Sequence, residues 1–270
     1  MSTSPLALSY EPEELTDSPI ELAVVQVQYP TIMSIPTNEA LLAAFQERVR
    51  DLYPFLSVGQ QGIFTVSSQN VEQQPTTRVF RFMDINQRWT VTLSADSIAL
   101  ETRNYTTFSE FSNRLLKILA AANEVYSLRD KQRLGLRYIN EIRHKDTEAT
   151  EASSALWNTT IRPEVLGILS TEVGDSVDQS VQELSLTIRN GKLIMRHGAF
   201  PQGTSVAPLP NQSVLDGPFY LLDFDAFDDR ASNLDVRSLS ETLRDYNRSI
   251  FSLFRWSLQD EYYQELKGHG

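Results

Sequence analysis

The sequence contains no cysteine. That excludes disulfides, thiolate metal centres, iron–sulfur clusters and cysteine nucleophiles, and it suits a reducing compartment. Histidine is nearly as scarce: His144, His197 and His269 are the whole set. An imidazole metal site would need them to converge from distant positions. No metal or cofactor is expected, and His197 reads as a solvated side chain near a strand end. Positive charge is also short, with 24 Lys and Arg against 35 Asp and Glu, a net charge of −11. Such a surface repels phosphate backbones and anionic headgroups, so neither nucleic acid nor a membrane is an expected partner. Arg129, Lys131, Arg133, Arg137, Arg143 and Lys145 make only a modest basic run. No apolar stretch approaches the roughly 18 residues that cross a bilayer. Residues 1–18 lack the basic start and apolar middle of a signal peptide. They read as a disordered leader, and the expected location is the cytoplasm. Also missing are G-x-G-x-x-G, the P-loop, H-E-x-x-H and G-x-S-x-G, which moves the reading away from an enzyme.

What is present is core material. Hydrophobic residues make up 41%, with thirteen Phe, ten Tyr and three Trp. A chain of 270 residues is one large domain or two modest ones, long enough to need no covalent staples. Residues 20–29 read as a strand closed by Pro30. Thr37 is positioned to cap a helix whose apolar face is Leu42, Phe45, Val49 and Leu52, ended by Pro54. A strand at 62–66 and a polar loop at 67–75 precede a meander at 78–84, 89–94 and 97–103. Thr107-Phe108-Ser109-Glu110 is a capping box. It opens a helix striped with Phe108, Phe111, Leu115, Ile118, Ala122 and Val125 and running to Tyr126.

The central stretch is residues 133–143. Leu134, Leu136, Tyr138, Asn140 and Ile142 share one face of a strand; Gly135, Arg137, Ile139 and Glu141 share the other. Polar residues 146–160 form a linker. A short helix opens at Pro163, and a hairpin pairs 181–189 with 192–200 about Asn190-Gly191. A loop covers 201–218 and a strand 219–227. Asp235 caps a last helix with Val236, Leu239, Leu243, Tyr246, Ile250 and Phe254 on one face. The expected fold class is α+β: antiparallel sheets in two similar blocks, residues 19–145 and 161–266, each a meander followed by a long amphipathic helix packed on the sheet. Residues 267–270 are left as a tail.

Two groups of side chains carry chemistry. Asp223 and Asp225 sit two apart on a strand and so share a face. They could hold a divalent cation or serve acid–base work. They could equally pair with an arginine while Tyr220, Leu222, Phe224 and Ala226 are buried. Arg137 is the natural partner, either as structural glue or as the charged floor of a ligand pocket. Asn140 needs hydrogen-bond partners if buried, and clamping adjacent backbone would supply them. Gly135 suggests a helix packed closely over the strand. Phe251, Phe254, Trp256, Tyr262 and Tyr263 are too many for one helix face, and some of them are candidates for an interface.

The strand Leu136-Arg137-Tyr138-Ile139-Asn140 resembles the hallmark of a conserved hypothetical family scattered among bacteria and archaea. The likeness extends to the early strand at 19–29, to Leu222-Asp223-Phe224-Asp225, and to the long helix ending at Ile250, Phe251 and Trp256. It covers roughly residues 18–265. The resemblance implies a soluble bacterial protein and transfers no activity. The first functional expectation is therefore a non-enzymatic protein-interaction module, with another protein or a second copy as partner. Sporadic occurrence suits an accessory role such as defence or toxin neutralisation. The alternative is an enzyme, or a binder of a small ligand or divalent ion, using Arg137 with Asp223 and Asp225 in a cleft between sheet and helix.

Overall fold

The computed structural model describes residues 6–61, 64–66, 71–73, 77–143, 157–204 and 217–268. The strands are β1 (Ile20–Gln28), β2 (Phe55–Gln61), β3 (Phe64–Val66), β4 (Val71–Gln73), β5 (Thr77–Met83), β6 (Trp89–Leu93) and β7 (Ser97–Thr102). They continue as β8 (Asp130–Lys131), β9 (Arg133–Arg143), β10 (Gln182–Ile188), β11 (Gly191–Phe200), β12 (Phe219–Asp228) and β13 (Ser232–Asn233). The helices are α1 (Ser34–Thr37), α2 (Glu39–Val49), α3 (Phe108–Tyr126), α4 (Pro163–Leu166), α5 (Val236–Ser257) and α6 (Asp260–Leu266). Nine strands form an antiparallel sheet in the order β10-β11-β12-β9-β1-β7-β6-β5-β2, and β13-β8 and β3-β4 form separate two-stranded ribbons. The fold is α+β. The central stretch 133–143 is an interior strand.

The chain divides into two compact units, and these differ from the blocks 19–145 and 161–266. One unit comprises Met1–Ala23, Leu136–Phe227 and Glu241–Gly270; the other comprises Val24–Gly135 and Asp228–Ser240. The expected linker, residues 146–160, lies mostly outside the described residues, as do His144, His269 and most of the 201–218 loop.

In the second unit the meander β5-β6-β7 forms with the expected turns. The Asp84 carboxylate accepts from the backbone N–H of Arg88 and Trp89 at 2.7 and 2.9 Å, which closes the first turn. The buried Tyr29 hydroxyl bonds the carbonyls of Ser94 and Ser97 at 2.9 and 3.0 Å across the second. Thr107 caps α3 by accepting from Glu110 N–H at 3.1 Å. Phe111, Leu115, Ile118, Leu119 and Ala122 are buried beneath that helix. The Glu110 carboxylate takes the Thr106 hydroxyl and the Arg114 guanidinium at 2.6 and 2.9 Å. Phe45 of α2 meets Phe82 edge-on, with centroids 5.3 Å apart.

Three local expectations need correction here. Asn38, not Thr37, caps α2, accepting from Ala40 and Leu41 N–H. The Thr37 hydroxyl instead donates back to the Met33 carbonyl. The helix ends at Val49, so Leu52 falls past its face and is exposed. Residues 55–61 form an unforeseen strand paired with β5, and 71–73, read as loop, form β4.

In the first unit one face of β9, β12 and β11 is an aromatic and aliphatic layer. Leu136, Tyr138, Ile142, Tyr220, Leu222, Phe224, Leu193 and Met195 are all buried. Helix α5 lies on this layer: the Tyr138 hydroxyl bonds Asn247 Oδ1 at 3.1 Å, and the Tyr246 hydroxyl bonds the Asn190 carbonyl at 3.1 Å. The opposite face is also covered in part, where Ile139, Leu221, Phe200 and Phe219 cluster with Leu22. Residues 6–18 are not the disordered leader expected. Tyr10 exchanges two hydrogen bonds with the buried Ser252 hydroxyl, and Asp17 N–H bonds the Leu266 carbonyl at 3.0 Å.

The hairpin turn sits one residue earlier than expected. Ile188 pairs with Gly191, so the loop is Arg189-Asn190. Asn190 is held by tertiary bonds, its amide donating to the Asp245 carboxylate at 2.5 Å while its carbonyl accepts from Tyr246. These contacts override the local Asn-Gly preference.

Candidate functional site

Four adjacent strands of the first unit carry one charged residue each in a single row. Glu183 of β10 is opposite Arg196 of β11, and Arg196 is opposite Asp223 of β12. Arg137 of β9 completes the row. The Arg137 Nε and Nη2 donate to the two Asp223 carboxylate oxygens at 2.8 and 2.7 Å. This is the fork-to-fork geometry that guanidinium and carboxylate share. Arg196 Nε donates to Glu183 at 2.6 Å, and its Nη1 lies 3.7 Å from Asp223. The signs alternate along the row.

Burial within the row is uneven. The Asp223 side chain is 1% exposed, whereas that of Arg137 is 38% exposed. A carboxylate so buried stays charged only with good partners. Its hydrogen bond to Arg137 in turn raises the guanidinium pKa, with Asp225 adding to the effect. Asp225, half-buried, sits opposite Ile194 one step along the same face. The sequence expectation that Arg137 and Asp223 pair is met by direct contact. Both carboxylate oxygens accept from guanidinium N–H groups. Among the described residues no group of three or more His, Asp or Glu is placed to hold a metal ion.

Asn140 donates to the Leu222 carbonyl at 2.9 Å on the neighbouring strand, the backbone clamp its burial required. Gly135 has a different neighbour from the one expected. The nearest group to a Cβ there is the flexible Arg133 guanidinium, at 2.6 Å. Gly198 does enforce close approach, since a Cβ would collide with the Ser180 carbonyl oxygen, as one on Gly174 would with that of Leu169.

His197 is buried on β11, not solvated. Its Nδ1 lies 3.0 Å from the Tyr220 hydroxyl, beside Trp157. Burial lowers its pKa to about 4, so the ring is neutral at pH 7.

The aromatic interface candidates divide by burial. Phe254 and Tyr263 are core residues, and Phe251, Trp256 and Tyr262 are half-buried. Arg255 explains part of this packing, with its guanidinium over the Tyr263 ring at 4.1 Å and the Tyr10 ring at 5.7 Å. Burial raises the Tyr262 and Tyr263 hydroxyls to about 12.

Exposed apolar surface in this unit lies elsewhere. Ile168, Val173, Val181 and Leu184 are each about half exposed. Strand β10 ends the strand order, and only Ile188 along it is buried. Sequence reasoning missed this edge because the alternation of Leu184, Leu186 and Ile188 identifies a strand but not its place in the sheet. No family model matches the chain, and no curated protein matches it.

Proposed function

We propose that this protein is a non-enzymatic protein-interaction module that engages its partner along the outer edge of β10. The observation that carries the reading is that edge. Its parity is fixed at both ends: Ile188 pairs with Gly191 beside a two-residue loop, and Ser180 N–H bonds the Ala199 carbonyl at 3.1 Å. Even-numbered residues therefore bond inward, and Glu183 and Ser185 turn their N–H and C=O groups outward. An edge strand of this kind is a template for a further strand. Proteins guard such edges with lysine, proline or a bulge. Here the only charged residue on β10 is Glu183, and Arg196 neutralises it. An accessory role such as defence or toxin neutralisation in the cytoplasm fits this reading and the family resemblance.

The test is capture from the native host with wild-type chain and with Ser185→Pro as baits. Proline at an outward-facing position removes the outer N–H and leaves the ladder to β11 intact. A specific protein, or the chain itself, is expected on the wild type and lost on Ser185→Pro. Equal retention on both baits, or a strict monomer retaining nothing, would defeat the proposal.

A second reading keeps a small anionic ligand at Arg137, because 38% of that side chain is exposed while its partner is sealed. A thermal-shift screen with nucleotides, carboxylates and divalent ions tests it. A shift that disappears in Arg137→Lys would favour this reading.

A further inference from the structure

The β10 edge also indicates which partner fits it, an inference that rests on the interaction reading above. We infer that the occupant is a second copy of this chain, joined by antiparallel pairing of β10 with β10 about a two-fold axis at Leu184.

The outer edge is already partly used. Leu6 N–H bonds the Thr187 carbonyl at 2.9 Å, so the N-terminal segment seals the turn-proximal end. No other described residue bonds the outward backbone groups of Glu183 or Ser185. A visiting strand that leaves the Leu6 bond in place must pair over 182–186. For a second copy the midpoint of that stretch is Leu184.

This register is self-complementary. Glu183 faces Ser185 of the second copy and Ser185 faces its Glu183, with both outward groups on each residue satisfied. No acid faces an acid. Leu184 faces Leu184 at the axis in a non-hydrogen-bonded pair, where side chains approach most closely. Leu184 is 47% exposed and Val181 is 57% exposed in the single chain. Ile168 and Val173 widen the apolar margin. A Cβ on Gly167 would lie 3.5 Å from the Gln182 amide, so the segment bearing Ile168 abuts the start of β10. A pairing this short belongs at the small end of interface sizes, with Kd on the order of micromolar. Each copy carries a net charge of −11, so the dimer should tighten as added salt screens the repulsion.

The chain's lack of cysteine provides the test. Cα atoms of a non-hydrogen-bonded antiparallel pair lie about 4.5 Å apart, within disulfide reach. Leu184→Cys should therefore give a covalent dimer with oxidised glutathione. Glu183→Cys, whose opposite residue is Ser185, should not. Sedimentation of the full chain should show a monomer–dimer equilibrium whose Kd rises at least tenfold in Ser185→Pro, with the melting temperature of the monomer preserved. A wild type that stays monomeric up to 100-fold above about 1 μM overturns the inference. If the host bait then still captures another protein in a Ser185-dependent way, the interaction reading stands and only the second copy fails. A dimer that survives Ser185→Pro, that leaves Leu184→Cys unlinked, or that loosens with salt also overturns it, because another surface would be responsible.

Discussion

Asp223 and Arg137 form one ion pair with unequal stakes. Arg137→Ala leaves a carboxylate with 1% exposure facing only the more distant Arg196. Losing the partner of a buried charge costs about 3–5 kcal/mol. Asp223→Asn keeps the shape and part of the hydrogen bonding, and the half-open guanidinium can turn toward water. That change should cost about 1–2 kcal/mol. Urea unfolding of the two variants checks the order; equal losses would show that Arg196 alone satisfies Asp223. His197 supplies a second prediction at this scale. Its pKa falls from 6.5 unfolded to about 4 folded. The unfolded chain therefore binds the extra proton between these values, and the histidine's contribution to stability is whole above pH 6.5. It is lost progressively as pH falls toward 4 and is absent below, a change of about 3 kcal/mol at most. His197→Asn, which can still bond Tyr220, should flatten that segment of the stability–pH profile. An unchanged slope would assign the acid sensitivity to carboxylates.

Among the elements, α3 and β9 were the most legible in sequence, because each is over-determined locally. A threonine cap, an acid three residues on and an apolar stripe all indicate one helix from Phe108 to Tyr126. Thr107→Ala should cost about 1 kcal/mol through loss of the Glu110 N–H acceptor. Leu136, fully buried on β9, should cost about 2–5 kcal/mol on replacement by alanine. Calorimetry or chemical denaturation measures both. Where tertiary contacts outvote local preference, the sequence misleads. The Asn190-Gly191 turn predicts Arg189 opposite Lys192, which places Glu183 against Gly198. The bonds from Asp245 and Tyr246 to Asn190 shift the loop by one, each partner moves by two, and Glu183 meets Arg196 instead. The Arg137–Asp223 pair was readable from composition and alternation, but the four-residue row was not. Edge position is likewise a property of strand order, which a single strand's pattern does not encode. The parity of β10 has its own signature: in dilute protein, backbone amides of Leu184 and Leu186 should exchange slowly and those of Glu183 and Ser185 fast. Uniform exchange along the strand would contradict the outward assignment.

At the scale of the whole molecule, each unit draws its segments from separated parts of the sequence, so neither can be cut out at residues 146–160 as a contiguous fragment. A chain divided there should yield two pieces that do not fold separately, a result circular dichroism would show; two cooperative melts from the isolated pieces would refute the partition. The alternating row across β10, β11, β12 and β9 bears on how these strands find their places. Because side chains alternate between faces, slipping β12 by one residue against its neighbours would carry Asp223 into the layer of Leu193, Met195 and Tyr138 and expel Phe224 to the other side. A two-residue slip keeps the face but sets Arg196 against a leucine or Asp225. The four charges thus act as a key against a slip of one residue, or of two toward Leu221, whereas the slip that brings Asp225 opposite Arg196 keeps opposite signs together.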